Sequence, residues 1–173
     1  PWMQRLPGGL IHVNVVGCAL FAAISGSSAA TVATVGKMSI PELRKRKYPE
    51  KILLGSLAGS GTLGLLIPPS IILIIYGVTV QESIAKLFIA GIIPGIMIAL
   101  IFMSYVVVWS LINKKSMPKS SENSSFLEKV KKSKQLMPVI LLILAVIGSI
   151  YTGVATATEA ASLGVVGALI LSY

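Results

Sequence analysis

The segment Gly55–Tyr76 reads GSLAGSGTLGLLIPPSIILIIY. It lies inside a longer uncharged run, Ile52–Gln81, and about 20 apolar residues suffice to cross a bilayer as a helix. Its centre carries three glycines and the adjacent Pro68 and Pro69, which interrupt an α-helix. Non-helical backbone lies at membrane depth only where it is buried in protein or lines a cavity, and secondary transporters build binding sites from such broken helices. We therefore predict a broken transmembrane helix over 52–76 that forms part of a functional site.

The composition predicts an all-α integral membrane protein. The chain is 54% hydrophobic and 12% charged, whereas a soluble domain carries about 25% charged residues. Because the sequence starts at Pro1 and stops at Tyr173 within an apolar stretch, we expect it to be a piece of a longer polypeptide.

The net charge of +9 is concentrated in two short segments between apolar runs. Six of the 15 Lys and Arg residues lie in Lys37–Lys51 and seven in Lys114–Lys134. This pattern is typical of cytoplasmic loops of membrane proteins, and it argues against a nucleic-acid partner, which would need a basic face on a folded domain.

The N-terminal uncharged run, Leu6–Gly36, is 31 residues long. As one helix it would measure roughly 46 Å, well beyond a hydrocarbon core of about 30 Å. Its middle is small and polar, so we predict two short helices, about Leu10–Ile24 and Ala30–Met38, joined by a turn at Ser25–Ala29. This would be a re-entrant hairpin over about 10–38. A single tilted span with a long tail is the alternative.

The rest of the chain divides at a polar segment. We predict a loop at Ser39–Lys51, an external turn at Gly77–Lys86 and a helix at 87–112 that is kinked near Gly91, Pro94 and Gly95. Residues 113–135 form a basic cytoplasmic linker, in which 126–134 resemble an amphipathic helix on anionic membrane lipid. Two further helices are expected at 136–158 and 160–173. Residues 1–112 and 136–173 would then be the first repeat of an inverted-repeat transporter and the start of the second.

Enzymatic chemistry finds little support in the sequence. Gly59–Gly64 spells G-x-G-x-x-G, but the helix that must follow a dinucleotide fingerprint is blocked by Pro68 and Pro69. The chain has one histidine, one cysteine and no aspartate, so neither a zinc ligand set nor a Ser-His-Asp triad can be assembled from it. We expect no enzyme activity and no cofactor.

A Na⁺ site needs several oxygens, which hydroxyls and the carbonyls of broken helices supply. The two interruptions carry such groups: Ser25, Ser27, Ser28 and Thr31 on one, Ser60, Thr62 and Ser70 on the other, with Gly26, Gly61 and Gly64 to turn carbonyls inward. Close helix packing is the alternative reading of the small residues. Proton coupling would need an intramembrane carboxylate or histidine. Glu159 is the nearest carboxylate to a span, and we favour a helix-capping role for it.

Four segments closely resemble the large membrane subunit of tripartite ATP-independent periplasmic (TRAP) transporters. They are FAAISGSSAATVATVG (21–36), GTLGLLIPPSIILIIYG (61–77), SIAKLFIAGIIPG (83–95) and YTGVATATEAA (151–161). Thr31, where an acidic residue is common, and Ala157, where proline is usual, depart from the family pattern.

The resemblance implies an elevator-type, Na⁺-driven importer, multi-pass in the bacterial inner membrane. Its partners would be a small four-helix membrane subunit and a periplasmic binding protein that delivers an organic acid or sugar acid, such as a dicarboxylate or sialic acid. Ser25–Ala29 would be the hairpin tip and Gly61–Ser70 the unwound helix facing it. The binding residues implied are Ser25, Gly26, Ser27, Ser28, Gly61, Thr62, Gly64, Pro68, Pro69 and Ser70, with Ser25, Ser27, Ser28, Gly61 and Thr62 as Na⁺ ligands.

Two other functions remain open beside Na⁺-coupled transport. A non-transporting membrane scaffold would use the Gly/Ser clusters as packing seams and predicts continuous helices through Gly59–Ser70. An H⁺-coupled transporter is the second alternative.

Overall fold

The computed structural model describes residue 3 and residues 6–118 and 137–172, without the side chains of residues 115, 139, 157, 171 and 172. Within these residues every regular element is helical, which confirms the all-α prediction. The α-helices are α1 (His12–Ser25), α2 (Ser28–Lys45), α3 (Glu50–Gly61), α4 (Ile71–Val80), α5 (Ile84–Ile112), α6 (Met137–Tyr151) and α7 (Ala157–Ser172).

Helices α1 and α2 form a hairpin and pack against each other. Gly26 ends α1 in the left-handed region at φ 60°, and its N–H donates to Ala22 O at 2.9 Å. Ser27 is extended and starts α2, where its side chain accepts from Ala30 N at 3.5 Å. A left-handed glycine after one helix and a serine cap before the next are the local signals for such a turn. The prediction of two helices is confirmed, and the alternative of a single tilted span is wrong.

Helix α2 extends seven residues beyond its predicted end at Met38. It passes through Pro41 because the C-terminal turn is held by other interactions. Leu43 is buried, Arg46 Nε donates to Glu42 Oε1 at 2.6 Å, and basic residues in the last turn favour the negative end of the helix dipole. The Arg46 hydrogen bond also lowers the pKa of the Glu42 carboxyl. The predicted loop Ser39–Lys51 therefore shrinks to residues 46–49.

The helix predicted over 52–76 is broken as expected. Helix α3 ends at Gly61, a 3-10 turn covers Thr62–Leu65, and α4 begins at Ile71. The Pro68–Pro69 peptide bond is cis. The glycines of the G-x-G-x-x-G pattern lie at the end of α3 rather than ahead of a helix, so the dinucleotide geometry is not formed.

Helix α5 is 29 residues long and continuous through Pro94. It starts three residues earlier than predicted because the Ser83 side chain accepts from Lys86 N. The external turn accordingly narrows to residues 81–83. Among the described residues, α5 is the one helix long and apolar enough to cross a membrane by length and composition, and several shorter helices are apolar.

The remaining helices, α6 and α7, pack against each other and contact α5 through Phe88, Ile150 and Ala160. Helix α6 ends at Tyr151, seven residues before its predicted end, and α7 begins at Ala157. The predicted linker lies outside the described residues except for 113–118.

The core places the hairpin on the broken helix. Val15 and Ala22 of α1 are fully buried with Leu63 of the 3-10 turn, and Phe102 of α5 packs on this cluster. Cys18 is fully buried and belongs with Val35 and Leu57 to a second buried cluster. The two interruptions of the backbone are thereby held against each other.

Candidate functional site

The tip of the hairpin touches the break directly through backbone atoms. The Ile71 N–H, at the start of α4, donates to Gly26 O at 3.3 Å. A Cβ added to Gly26 would stand 2.7 Å from the carbonyl oxygen of Pro69, closer than real Cβ contacts come. Glycine is therefore needed at position 26 both for its left-handed φ and for this approach.

Gly64 and Gly61 allow the hairpin tip and α2 to approach the break closely, because they carry no side chain. A Cβ on Gly64 would lie 2.9 Å from Ser28 N and 3.0 Å from Ser27 C, both backbone atoms. A Cβ on Gly61 would run into the Val32 side chain of α2. The structure thus brings together, in one backbone contact, Gly26, Ser27, Ser28, Gly61, Gly64 and Pro69 of the predicted site.

The hydroxyls of the tip form a small network. Thr31 Oγ1 donates to Ser27 O at 2.7 Å and lies 3.0 Å from Ser25 Oγ, which in turn accepts from Ser27 N at 3.3 Å. Thr31 is fully buried, so its hydroxyl fixes the tip from beneath. A hydroxyl that donates its hydrogen to a carbonyl keeps oxygen lone pairs for a cation.

The two prolines leave two carbonyl groups of the break without their α-helical hydrogen bonds. Because Pro68 and Pro69 have no N–H, they cannot supply the helical hydrogen bonds to the carbonyls of Gly64 and Leu65. The buried Ser70 hydroxyl donates to Leu65 O at 2.8 Å and replaces one of them. The Gly64 carbonyl has no such replacement among the described hydrogen bonds, which makes it a candidate oxygen ligand.

Thr62 supplies a hydroxyl at the start of the break. Its Oγ1 donates to Gly59 O at 2.7 Å, and the residue is exposed. Its geometry is that of a back-bonded helical threonine with lone pairs available to a ligand.

Four helix ends meet at this contact. Helices α1 and α3 end here with their carbonyl groups, whereas α2 and α4 begin here with their N–H groups. Helix C-termini carry partial negative charge and N-termini partial positive charge. The carbonyl ends of α1 and α3 could therefore bind a cation, and the N–H ends of α2 and α4 could bind an anion beside it, without a charged side chain.

Ser60, counted among the hydroxyls of the break, lies elsewhere. It is fully buried, donates to Ser56 O at 2.6 Å and sits 3.4 Å from Asn14 O. Asn14 Nδ2 donates to Ser56 Oγ at 3.0 Å and to Leu53 O at 3.2 Å, which ties α1 to α3 beneath the site. Sequence reasoning missed this cluster, although an amide in an uncharged run and serines four residues apart are its signals.

Gly91 and Gly95 of α5 lie against the backbone of the break. A Cβ on Gly91 would stand 2.7 Å from Leu66 O, and one on Gly95 would stand 3.0 Å from Ile67 Cγ1. Both glycines are buried. They let α5 approach the backbone of residues 66–67 closely.

Sequence comparison matches residues 3–173 to the family described as "Tripartite ATP-independent periplasmic transporter, DctM component". The chain belongs to this family. The resemblance seen in the sequence is therefore confirmed over nearly its whole length.

Relatives of this DctM-family chain are named as transporter permeases rather than enzymes. The C4-dicarboxylate TRAP transporter large permease protein DctM of Pseudomonas aeruginosa is 40% identical over 162 residues, covering 94% of this chain and 37% of that protein. The sialic acid TRAP transporter permease protein SiaT of Haemophilus influenzae is 40% identical over 155 residues, covering 89% and 24%. The ectoine TRAP transporter large permease protein TeaC of Halomonas elongata is 37% identical over 173 residues, covering 99% and 40%. The chain spans less than half the length of each.

Glu159 of this DctM-family chain caps α7. Its Oε2 accepts from Thr156 N at 2.8 Å and Thr156 Oγ1 at 2.9 Å, while Thr156 Oγ1 accepts from Glu159 N at 3.3 Å. This reciprocal pair is a capping box. The capping role predicted for Glu159 is confirmed, and Ala157 does not prevent it.

Proposed function

We propose that this chain is the part of a TRAP large permease subunit that binds a coupling Na⁺ between the hairpin tip and the broken helix. The observation that carries the proposal is the backbone contact of Gly26–Ser28 with Gly61–Ile71. Close helix packing alone does not require the two backbone segments outside the α-helices to contact each other. Membership of a transporter family supports the same conclusion.

The oxygen set suits Na⁺. The proposed ligands are hydroxyls of Ser25, Ser27, Ser28 and Thr62 with carbonyls of the tip and break, including Gly61. Binding of the ion would draw the end of α1 and the end of α3 together and order the tip against the break. Ion occupancy would thereby shape the neighbouring substrate surface and couple the Na⁺ gradient to uptake.

Na⁺ fits this region better than H⁺. The uncharged runs Leu6–Gly36 and Ile52–Gln81 contain no carboxylate, and Glu159 is engaged in its capping box. His12 lies at the opposite end of α1 from the tip, buried, with Nε2 2.8 Å from Pro7 O. A titratable group at the contact itself would be needed for a proton to replace the sodium ion.

The proposed substrate is an organic acid or sugar acid, of the dicarboxylate or sialic-acid kind. The N-termini of α2 and α4 point at the site and favour an anionic group. Relatives of similar identity are named for C4-dicarboxylate, sialic acid and ectoine, so overall similarity does not choose among substrates. Selection would then rest with other parts of the transporter and with the binding protein.

The proposed assembly is a multi-pass importer in the bacterial inner membrane. The basic segments Lys37–Lys51 and Lys114–Lys134 would face the cytoplasm, and the α1–α2 hairpin would be re-entrant. A small four-helix membrane subunit and a periplasmic binding protein complete it, and a rigid-body elevator movement would carry the occupied site to the cytoplasm.

The scaffold alternative predicts continuous helices through Gly59–Ser70. The backbone there leaves the α-helix at Thr62 and resumes it at Ile71. We therefore do not favour a non-transporting scaffold.

The test is Na⁺-dependent uptake by the full complex in proteoliposomes carrying Ser27→Ala, Thr62→Ala or both. Each single variant should raise the Na⁺ concentration for half-maximal uptake by about tenfold, the equivalent of one lost hydrogen-bond-scale interaction. Thr79→Ala is the matched control, because Thr79 is likewise exposed and back-bonded, to Ile75 O at 2.8 Å, but lies on α4 away from the break. Wild-type Na⁺ dependence in all three variants would refute the site.

A further inference from the structure

Thr31 carries a buried hydroxyl one turn below the tip of the hairpin. Its Oγ1 donates to Ser27 O, four residues earlier, at 2.7 Å, and its side chain is fully buried. Thr79 and Thr152 make the same bond to the carbonyl four residues earlier, each at 2.8 Å, but both are exposed. A back-bonded threonine is a common helical geometry. Thr31 differs from these two in its burial and in a second oxygen, Ser25 Oγ, which lies 3.0 Å from its hydroxyl.

The single hydrogen of the Thr31 hydroxyl decides which residue donates in this second contact. A hydroxyl has one hydrogen to donate and two lone pairs that accept. Thr31 directs its hydrogen to Ser27 O at 2.7 Å, so Ser25 donates across the 3.0 Å contact. Ser25 Oγ also lies 3.3 Å from Ser27 O, but that carbonyl already accepts from Thr31 Oγ1 and from Thr31 N at 3.0 Å. The hydroxyl hydrogen of Ser25 is therefore held toward Thr31, beneath the tip.

Ser25 then keeps one lone pair for a ligand. Its Oγ accepts from Ser27 N at 3.3 Å and donates to Thr31, which uses its hydrogen and one of its two lone pairs. The other lone pair has no partner among the described hydrogen bonds. A hydroxyl oxygen can coordinate a cation only when its hydrogen is turned away from the ion, and Thr31 sets this direction for Ser25. Ser25 is also the more accessible of the two, since it is half-buried and Thr31 is fully buried.

We propose that Thr31 is a positioning residue for the coupling ion and acts through Ser25. It holds the Ser25 hydrogen away from the site, so that the Ser25 oxygen presents a lone pair to Na⁺. The inference rests on the sodium site proposed above, and it assigns the residue that prepares one ligand of that site before the ion arrives. Groups that are ordered in advance reduce the ordering cost of binding.

Thr31→Val removes the hydroxyl and keeps the branched shape of the side chain. The Ser27 carbonyl retains the hydrogen bond from the N–H of residue 31 at 3.0 Å, so it is not left without a donor. In Na⁺-dependent uptake by the full complex, Thr31→Val should raise the Na⁺ concentration for half-maximal uptake by about tenfold, the effect of one hydrogen bond. The maximal rate at saturating Na⁺ should stay at the wild-type level. Thr31→Ser, which restores a hydroxyl, should restore the wild-type Na⁺ dependence.

Two further variants separate positioning from a general loss of structure. Thr79→Val is the matched control, because it removes a hydroxyl with the same bond to the carbonyl four residues earlier, and it should behave as wild type. Ser25→Ala should itself raise the half-maximal Na⁺ concentration. The double variant Ser25→Ala/Thr31→Val should then match Ser25→Ala, because Thr31 has no Ser25 hydroxyl left to orient. If Thr31→Val does not assemble, Thr31→Ala removes the same hydroxyl with less bulk, and Thr79→Ala is its control.

Three results would overturn the role of Thr31. One is wild-type Na⁺ dependence in Thr31→Val, and another is a lower maximal rate with unchanged Na⁺ dependence, which indicates a structural role alone. The third is a pair of shifts that multiply in Ser25→Ala/Thr31→Val, because Thr31 would then act independently of Ser25. Ser27→Ala and Thr62→Ala are measured alongside. A shift in these two but not in Thr31→Val rejects the positioning role and keeps the sodium site, whereas no shift in any variant rejects the sodium site itself.

Discussion

The hairpin tip at Ser25–Ser28 and the turn at residues 152–156 have the same local chemistry. Each joins two apolar helices, each contains a left-handed glycine (Gly26 at φ 60° and Gly153 at φ 72°), and each starts the next helix with a hydroxyl cap. They differ in their surroundings. Gly26 is buried against Pro69 and Ile71, whereas nothing lies within 4 Å of a Cβ built on Gly153.

The comparison shows that a turn sequence alone does not make a site. Both turns contain a local backbone hydrogen bond, from Gly26 N to Ala22 O in the tip and from Gly153 N to Ile150 O in the other turn. What distinguishes the tip is a second interruption, Gly61–Ser70, whose backbone meets it. The candidate site is a property of the pair of interruptions.

The largest difference between the two turns is expected from the variants Gly26→Ala and Gly153→Ala. Both substitutions place a side chain at left-handed φ, which costs about 1–2 kcal/mol of stability. At Gly26 the added Cβ also collides with Pro69 O and displaces the tip, so Na⁺-dependent uptake should fall by about 100-fold, as expected for a misplaced reactive or binding group. Gly153→Ala should lower only the thermal stability of the complex. Comparable uptake in the two variants would remove the distinction.

Gly64→Ala should have the next largest effect. Its conformation suits alanine, but the Cβ would stand 2.9 Å from Ser28 N and push the tip away from the break. We expect uptake to fall by about tenfold, consistent with an overpacking cost of 1–3 kcal/mol. Gly55→Ala, in open space on α3, is the control and should behave as wild type. A normal Na⁺ response in Gly64→Ala would mean that the close approach is dispensable.

The two backbone interruptions were predictable from the sequence, whereas the residues that pack around them were not. Gly-, Ser- and Pro-rich interruptions in apolar runs are local signals, and both interrupt the α-helix within the predicted segments. The C-terminal extension of α2 to Lys45 was not predictable from Pro41, because the buried Leu43 and the Glu42–Arg46 pair outweigh the lost hydrogen bond. The role of Asn14 was not predictable either, because its partners Leu53 and Ser56 are about forty residues away in the sequence and come near only through folding.

A test with a smaller expected effect uses Glu159, next to the turn at residues 152–156, to distinguish Na⁺ coupling from H⁺ coupling. Glu159→Ala removes the capping box and should cost about 0.5–2 kcal/mol of stability. Glu159→Gln preserves the box geometry and should be close to wild type in thermal stability. Both variants should keep the wild-type pH profile of uptake. A shifted profile in Glu159→Gln would favour H⁺ coupling and weaken the case for Na⁺.

The most direct test of the paired interruptions is a count of sodium ions bound by the purified complex, using equilibrium binding of radioactive Na⁺. The double variant Ser27→Ala/Thr62→Ala should bind one ion fewer than wild type. The control Ser104→Ala/Thr79→Ala removes two exposed hydroxyls that each donate to the carbonyl four residues earlier, on α5 and α4, and should bind the wild-type number. An unchanged number of ions and unchanged affinity in Ser27→Ala/Thr62→Ala would contradict a sodium site between the tip and the break.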